Sequence, residues 1–232
     1  MKTKIFCDSA DFKIIRELKN NTLVKGFTTN PSLMKLSGAK DYKSYSLRLL
    51  GACKTKPISL EVFADNFYQM ERQAYKISSW GKNVYVKIPV INSKGSFSGS
   101  VIKKLSDQGI KLNITAVYTV AQVRKILKKV NKNSRTIISI FAGRMADAGI
   151  DPVPIIRESV KLTKKFKKIE ILWASTREAY NYTQAKNLRC SIITMPPNII
   201  KKVSKFGKSL NDLSLDTVKI FLKDSKNSKY KI

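Results

Sequence analysis

One lysine, Lys87, interrupts the apolar, β-branched run Asn83-Val-Tyr-Val-Lys-Ile-Pro-Val-Ile91, a pattern that predicts a strand. An ammonium there is disfavoured unless it is paired or gives up its proton, so Lys87 is either anchored by a carboxylate or held as a neutral amine. A neutral amine attacks ketone carbonyls to form Schiff bases, which makes a lysine late in a buried strand a catalytic candidate. The plainer alternative is a strand-end lysine whose stem packs while its head reaches water. Other residues able to do chemistry fall at similar places, where apolar runs stop. They are Asp8, then Thr28 and Asn30, then Glu61, then Asn113 and Thr115. Ser139, Phe141 and Arg144 follow, and after them Ser175 and Arg177.

These residues need a frame. Short apolar runs recur at Lys4–Cys7, Leu23–Phe27, Ile58–Phe63, Val84–Val90, Leu112–Val117, Thr136–Phe141, Glu170–Ala174 and Ser191–Met195, giving eight predicted strands. Amphipathic stretches lie between them. The clearest follows Thr119, a plausible N-cap, with Val123, Ile126, Leu127 and Val130 on one face. Strands separated by helices run parallel, and eight such units in about 230 residues predict a closed (β/α)8 barrel, the TIM-barrel class of α/β fold, over an open doubly wound sheet. Residues 1–222 then form a single domain that ends in an extra helix, Ser214–Leu222, suited to packing on a neighbouring subunit. Residues 223–232 are a basic tail expected to fray.

In such a barrel the chemistry sits where strands end and βα loops begin, which is where the polar set stands. Each member has a structural role open to it. Asp8 and Ser175 could cap helices, Thr28 and Asn30 could form turns, and Arg144 and Arg177 could be surface charges. Two carboxylates, one lysine and two arginines on one rim are difficult to assign to capping alone.

Composition narrows the classes. Histidine is absent, which removes serine–histidine triads and zinc sites built on imidazole. Cys7, Cys53 and Cys190 are far apart and odd in number, so neither a disulfide framework nor a Cys-x-x-Cys metal site is suggested, and a reducing cytoplasm is expected. No signal-type segment opens the chain and no apolar run approaches the roughly 20 residues that span a bilayer, so no membrane partner is expected. No glycine-rich nucleotide motif follows a strand. The net charge of +29 favours anionic partners. Lysines outnumber the nine arginines and are spread along the chain, a solvated cationic surface rather than a groove for specific nucleic-acid reading. A non-catalytic basic barrel that binds polyanions is the alternative of another class.

Four segments carry a family resemblance over nearly the whole chain. Gly26-Phe-Thr-Thr-Asn-Pro-Ser32 is similar to the signature Gly-Val-Thr-Thr-Asn-Pro-Ser of the transaldolase family, and Val86-Lys-Ile-Pro-Val90 to the segment around its Schiff-base lysine. Ser139-Ile-Phe-Ala-Gly-Arg-Met-Ala-Asp147 and Ala174-Ser-Thr-Arg177 resemble its two phosphate-binding segments. The likeness is to the small members, which include fructose-6-phosphate aldolases. Departures are Phe27 for valine, Ile140 for proline, Met145 for isoleucine and Thr176 for an aromatic residue.

The resemblance implies a class I enzyme with Lys87 as Schiff-base residue, Glu61 and Thr115 handling the protons of imine formation through a water, and Asp8 as the base for bond cleavage. Thr28, Asn30, Asn113, Ser139 and Phe141 would bind the sugar, and Arg144, Ser175 and Arg177 its phosphate. Glu61 and Phe141 match transaldolases, whereas aldolase-type members carry glutamine and tyrosine, which favours transfer over release. The implied substrates are a ketose phosphate (sedoheptulose 7-phosphate or fructose 6-phosphate) and an aldose phosphate (glyceraldehyde 3-phosphate or erythrose 4-phosphate), within the pentose phosphate pathway. No metal or cofactor is implied. Ring-like assemblies of five or ten chains are.

Overall fold

The computed structural model describes residues 3–228 and residue 230. From the N-terminus the chain runs through β1 (Lys4–Asp8), α1 (Phe12–Leu18), β2 (Val24–Thr28), α2 (Pro31–Leu36), α3 (Tyr42–Ala52), β3 (Ile58–Glu61) and α4 (Phe67–Ser78). It continues through β4 (Val84–Pro89), α5 (Gly99–Asp107), β5 (Leu112–Val117), α6 (Val120–Lys129), β6 (Thr136–Ile140), α7 (Ala142–Asp147) and α8 (Val153–Thr163). The last elements are β7 (Ile169–Trp173), α9 (Tyr180–Asn187), β8 (Ile192–Met195), α10 (Pro197–Val203) and α11 (Leu210–Ser228). The strands pair in parallel in chain order and β1 closes on β8, so the sheet is a barrel and not an open sheet.

Strands buried on both faces account for the near-continuous apolar runs of the sequence. Along β4, Val84, Val86 and Ile88 join the core between strands and helices, while Tyr85 belongs to a separate cluster inside the barrel with Phe6, Ile137, Leu172 and Ile192. Gly26 makes room for that plug, since a Cβ there would lie 2.6 Å from the Phe6 ring. Two residues further along the same strands the interior turns polar, with Asp8, Thr28, Lys87, Ser139 and Thr194. Strand alternation therefore fills the N-terminal half of the barrel with hydrocarbon and leaves the C-terminal half for chemistry.

Helix starts follow side-chain caps: Asp11 for α1, Asp41 for α3, Asn66 for α4, and a full capping box of Thr119 and Gln122 for α6. Two helices are additional to the sequence-based elements, α2 and α7, each six residues long and too short to register as a helical period. The C-terminal helix is also longer than predicted. It begins at Leu210 and runs to Ser228, so residues 223–228 of the expected frayed tail are helical, while 229, 231 and 232 lie outside the described residues. No residue of α11 is buried, and Leu213, Leu215, Val218, Phe221 and Leu222 are exposed. Among the described residues no helix is long and apolar enough to cross a membrane.

Candidate active site

At the C-terminal mouth of the barrel is a cavity of about 220 Å³. Eleven of the twelve predicted site residues line it: Asp8, Thr28 and Asn30 from the first two strands and their loops, Lys87, Asn113 and Thr115 from the next wall, and Ser139, Phe141, Arg144, Ser175 and Arg177 opposite. The twelfth, Glu61, stands behind the lysine. In the register of β3, β4 and β5, Glu61 lies beside Lys87 and Lys87 beside Asn113.

Lys87 is 7% exposed. Its Nζ is 2.9 Å from Glu61 Oε2 and donates to the Thr29 carbonyl at 2.8 Å. Of the two states open to a lysine in this strand, the structure holds the one anchored by a carboxylate, and the pair satisfies a cation that burial would otherwise penalise. Glu61 is itself fixed at the end of β3 by Tyr42, whose hydroxyl accepts from Glu61 N (2.8 Å) and donates to Glu61 O (3.0 Å). Neither Tyr42 nor Thr29 is among the predicted site residues. Tyr42 opens a helix nineteen positions away in sequence, so nothing local marks it.

Asp8 accepts from Thr28 Oγ1 at 2.7 Å, and Thr28 Oγ1 lies 2.5 Å from Thr194 Oγ1. Burial pushes the Asp8 carboxyl above the usual carboxylate range. The Thr28 hydroxyl and the positive Lys87 pull it back, and the Glu61 charge pushes it further up. A carboxyl with a raised pKa facing a lysine in a cavity has the character of a proton-transfer group.

Across the interior, Ser139 Oγ donates to Asn113 Oδ1 at 2.6 Å and Asn113 Nδ2 donates to Ser59 Oγ at 3.0 Å, a chain that orients the Asn113 amide. Thr115 Oγ1 is buried with no hydrogen-bond partner among the described residues. It lies where the β5–β6 register shifts, beside Ala116 at φ +57°. Strained backbone of this kind concentrates at functional sites, and a lone buried hydroxyl is suited to hold a water or a substrate hydroxyl. Asn30 also performs its plainer role, capping α2 by accepting from Leu33 N at 2.9 Å.

The cationic side of the mouth is built from β6–α7 and the loop after β7. Ser175 has φ +64°, and a Cβ on Gly143 would stand 1.5 Å from the Ser175 carbonyl oxygen, so the two loops interlock only with glycine at that position. Thr176 ties its loop to β8 by donating to the Thr194 carbonyl at 2.6 Å. Arg177 grips Asp147 through Nε at 2.9 Å and Nη2 at 2.5 Å, and that grip holds the Asp147 carboxyl below the usual range. Arg144 lies 5.7 Å from the centre of the Phe141 ring, which packs against Tyr118 at 5.9 Å. Two guanidinium groups on one wall match the oxygens of a phosphate. Burial pushes the thiols of Cys7 and Cys190 up to about 12, so neither supplies a thiolate near neutral pH. Among the described residues no three His, Cys, Asp or Glu side chains group to hold a metal.

A buried lysine–carboxylate pair at the C-terminal mouth of a parallel barrel is the arrangement of an enzyme site, and comparison with known proteins gives the family. Residues 5–232 match the family model described as Transaldolase/Fructose-6-phosphate aldolase. A probable transaldolase of Brucella anthropi is 34% identical over 216 residues, covering 92% of this chain and 94% of its own length. One of Dehalococcoides mccartyi is 31% identical over 201 residues, covering 86% and 89%. The chain belongs to the transaldolase/fructose-6-phosphate aldolase family. Among solved structures, KGPDC from Streptococcus mutans superposes with a TM-score of 0.58 at 7% identity, covering 85% of this chain and 89% of that one. A protein from Burkholderia cenocepacia described as a putative lyase/mutase gives 0.61 at 10% identity, covering 87% and 79%. These two share the barrel fold.

Proposed function

We propose that the protein is a transaldolase that moves a three-carbon dihydroxyacetone unit from a ketose phosphate to an aldose phosphate through a Schiff base on Lys87. The observation that carries this reading is the buried Lys87–Glu61 pair, 2.9 Å apart, opening on a cavity that also holds Asp8. Glu61 is positioned to take the proton that Lys87 must lose before it attacks the C2 ketone. The carbinolamine then expels water to give an imine, with Glu61 and Thr115 handling the protons. Asp8 takes the proton of the C4 hydroxyl. The C3–C4 bond breaks, its electron pair moves into the imine, and an aldose leaves behind a three-carbon enamine. Asn30 and Ser139 hold the fragment's hydroxyls until an acceptor aldehyde is attacked and the steps run in reverse. Arg144, Ser175 and Arg177 anchor the phosphate, so that remote binding energy orients the reacting carbons.

Transfer is favoured over release as free dihydroxyacetone because Phe141, which lines the cavity, carries no acidic hydroxyl to protonate the enamine. Sedoheptulose 7-phosphate or fructose 6-phosphate are the proposed donors, and glyceraldehyde 3-phosphate or erythrose 4-phosphate the acceptors, in cytoplasmic pentose phosphate metabolism. The chemistry calls for no metal or organic cofactor. We also propose a homo-oligomer, a ring of five or ten chains, in which a neighbour covers the exposed apolar residues of α11. Incubation with fructose 6-phosphate and borohydride, followed by peptide mapping, tests the central step. A reduced three-carbon adduct on Lys87 is expected, and a folded protein with no adduct would overturn the reading.

A further inference from the structure

The opposite end of the barrel, where the strands begin, carries a second cavity of about 1130 Å³. Its floor is the apolar plug of Phe6, Tyr85 and Ile137, and its walls are the last turns of α8 and the turns that lead into β7 and β8. Nine of its lining side chains are lysine or arginine, against one carboxylate, Glu170. Glu170 is already engaged by Lys4 at 2.6 Å. Among the described residues, none of the other eight has a carboxylate within 4 Å.

Such a set differs from a solvated lysine surface in its shape and order. A concave wall over an apolar floor focuses positive potential, and within a cleft of this size the charges stand near or inside the screening length of about 8 Å at cellular salt. Arg157, Lys161 and Lys164 fall at i, i+4 and i+7 along α8 and its C-cap, a ladder about 10 Å long at 1.5 Å per residue. Arg189 continues the cationic wall from a left-handed position, φ +55°, directly after the cap of α9, where glycine is the usual residue. The Arg135 guanidinium stands beside the Tyr85 hydroxyl at the floor. A row of cations of this length fits a chain of phosphates better than a single one, and apolar side chains of Val160, Phe166 and Leu188 lie along it.

We propose that this cleft is a second anion site, separate from the catalytic mouth, that takes a linear chain of three or more phosphates, either free or carried on a nucleoside. The phosphates lie along the α8 ladder with Arg135 and Arg189 facing them, and a nucleoside, when present, packs against Phe166. The site does not depend on the catalytic reading.

Calorimetric titration of the whole protein at fixed ionic strength with tripolyphosphate, ATP and orthophosphate tests it. Tripolyphosphate is expected to bind far more tightly than orthophosphate, and tighter binding of ATP than of tripolyphosphate would identify the nucleoside-borne chain as the ligand. Arg157→Gln/Lys161→Gln, two exposed positions, should raise the dissociation constant for tripolyphosphate about tenfold or more, as expected for two lost charge-assisted contacts. A second pair, Lys164→Gln/Arg189→Gln, should do the same, and sugar-phosphate turnover should be unchanged in both. Arg144→Ala, at the other end of the barrel, should leave tripolyphosphate binding intact. Wild-type affinity in both paired variants, loss of binding in Arg144→Ala, or orthophosphate competing equally at matched ionic strength would overturn the proposal.

Discussion

Lys87 and Glu61 are register partners on adjacent strands, and their side chains meet at 2.9 Å with the lysine almost wholly out of water. The carboxylate keeps the cation inside the barrel and, in the proposed mechanism, takes its proton. Glu61→Gln retains a hydrogen-bond acceptor for the lysine but no base. Imine formation should slow by about a hundredfold or more, in line with the usual contribution of general base catalysis, and single-turnover trapping with borohydride measures it. Lys87→Met should give no adduct at all.

Asp8 supplies a prediction that couples stability to function. Burial raises its pKa above the ordinary 3.8, so from that pH up to the raised value the folded chain binds more protons at Asp8 than the unfolded one. Its contribution to stability is therefore full below 3.8 and lost as pH climbs through the raised value. Asp8→Asn removes this loss. Its thermal midpoint should exceed that of the wild type by a margin that opens above pH 3.8 and stops growing once pH has passed the raised value, while C–C bond cleavage stops. Melting curves at several pH values, with an aldol assay alongside, check both halves, and a variant less stable at neutral pH would contradict the assignment.

Arg177 is shared between Asp147 and the proposed phosphate, and it is half exposed, so its worth lies in binding. Arg177→Ala should raise KM for phosphorylated sugars by about tenfold or more, as for loss of a charge-assisted contact, with a smaller change in kcat. Unphosphorylated analogues should be affected little. Steady-state kinetics on both kinds of substrate separate this from a general loss of structure.

Phe141 packs between Tyr118 and Arg144 on the cavity wall. Phe141→Tyr adds one hydroxyl to a ring that already has its place, so the fold should tolerate it. The new phenol can protonate the enamine, and the product without an acceptor should shift toward free dihydroxyacetone. Chromatographic product analysis shows whether that ratio moves.

Much of this architecture was legible in the chain, for reasons that differ by element. The eight strands announce themselves because each is buried on both faces, which writes a short apolar run such as Val84–Val90 and punctuates it with a polar residue at the mouth. Lys87 stands out because nothing else in its run is charged. Lost to sequence reading were α2 and α7, which at six residues each are under two turns and too short to show a periodic face. Partners set by the closure of the barrel were also hidden. Thr194 is pinned to Thr28 and Ser59 to Asn113, pairs joined only when non-neighbouring strands meet inside the barrel, and Tyr42, at the start of α3, reaches Glu61 only in the folded chain. The length of α11 escaped for another reason, since a lysine-rich end reads as solvated whether or not it is helical.

The contact between Gly143 and Ser175 reaches beyond catalysis to how this mouth can change. Because the Ser175 carbonyl occupies the space where a side chain at position 143 would begin, the segment after β6 cannot be redrawn at that position while the segment after β7 stays as it is. Exchanging the segment after β6 for one with another residue at position 143, while keeping the segment after β7, would drive a Cβ into the Ser175 carbonyl. New substrate preferences in this scaffold are therefore reached either with Gly143 held fixed or with both loops exchanged as one unit, and a library that varies position 143 by itself will return folded protein almost only with glycine.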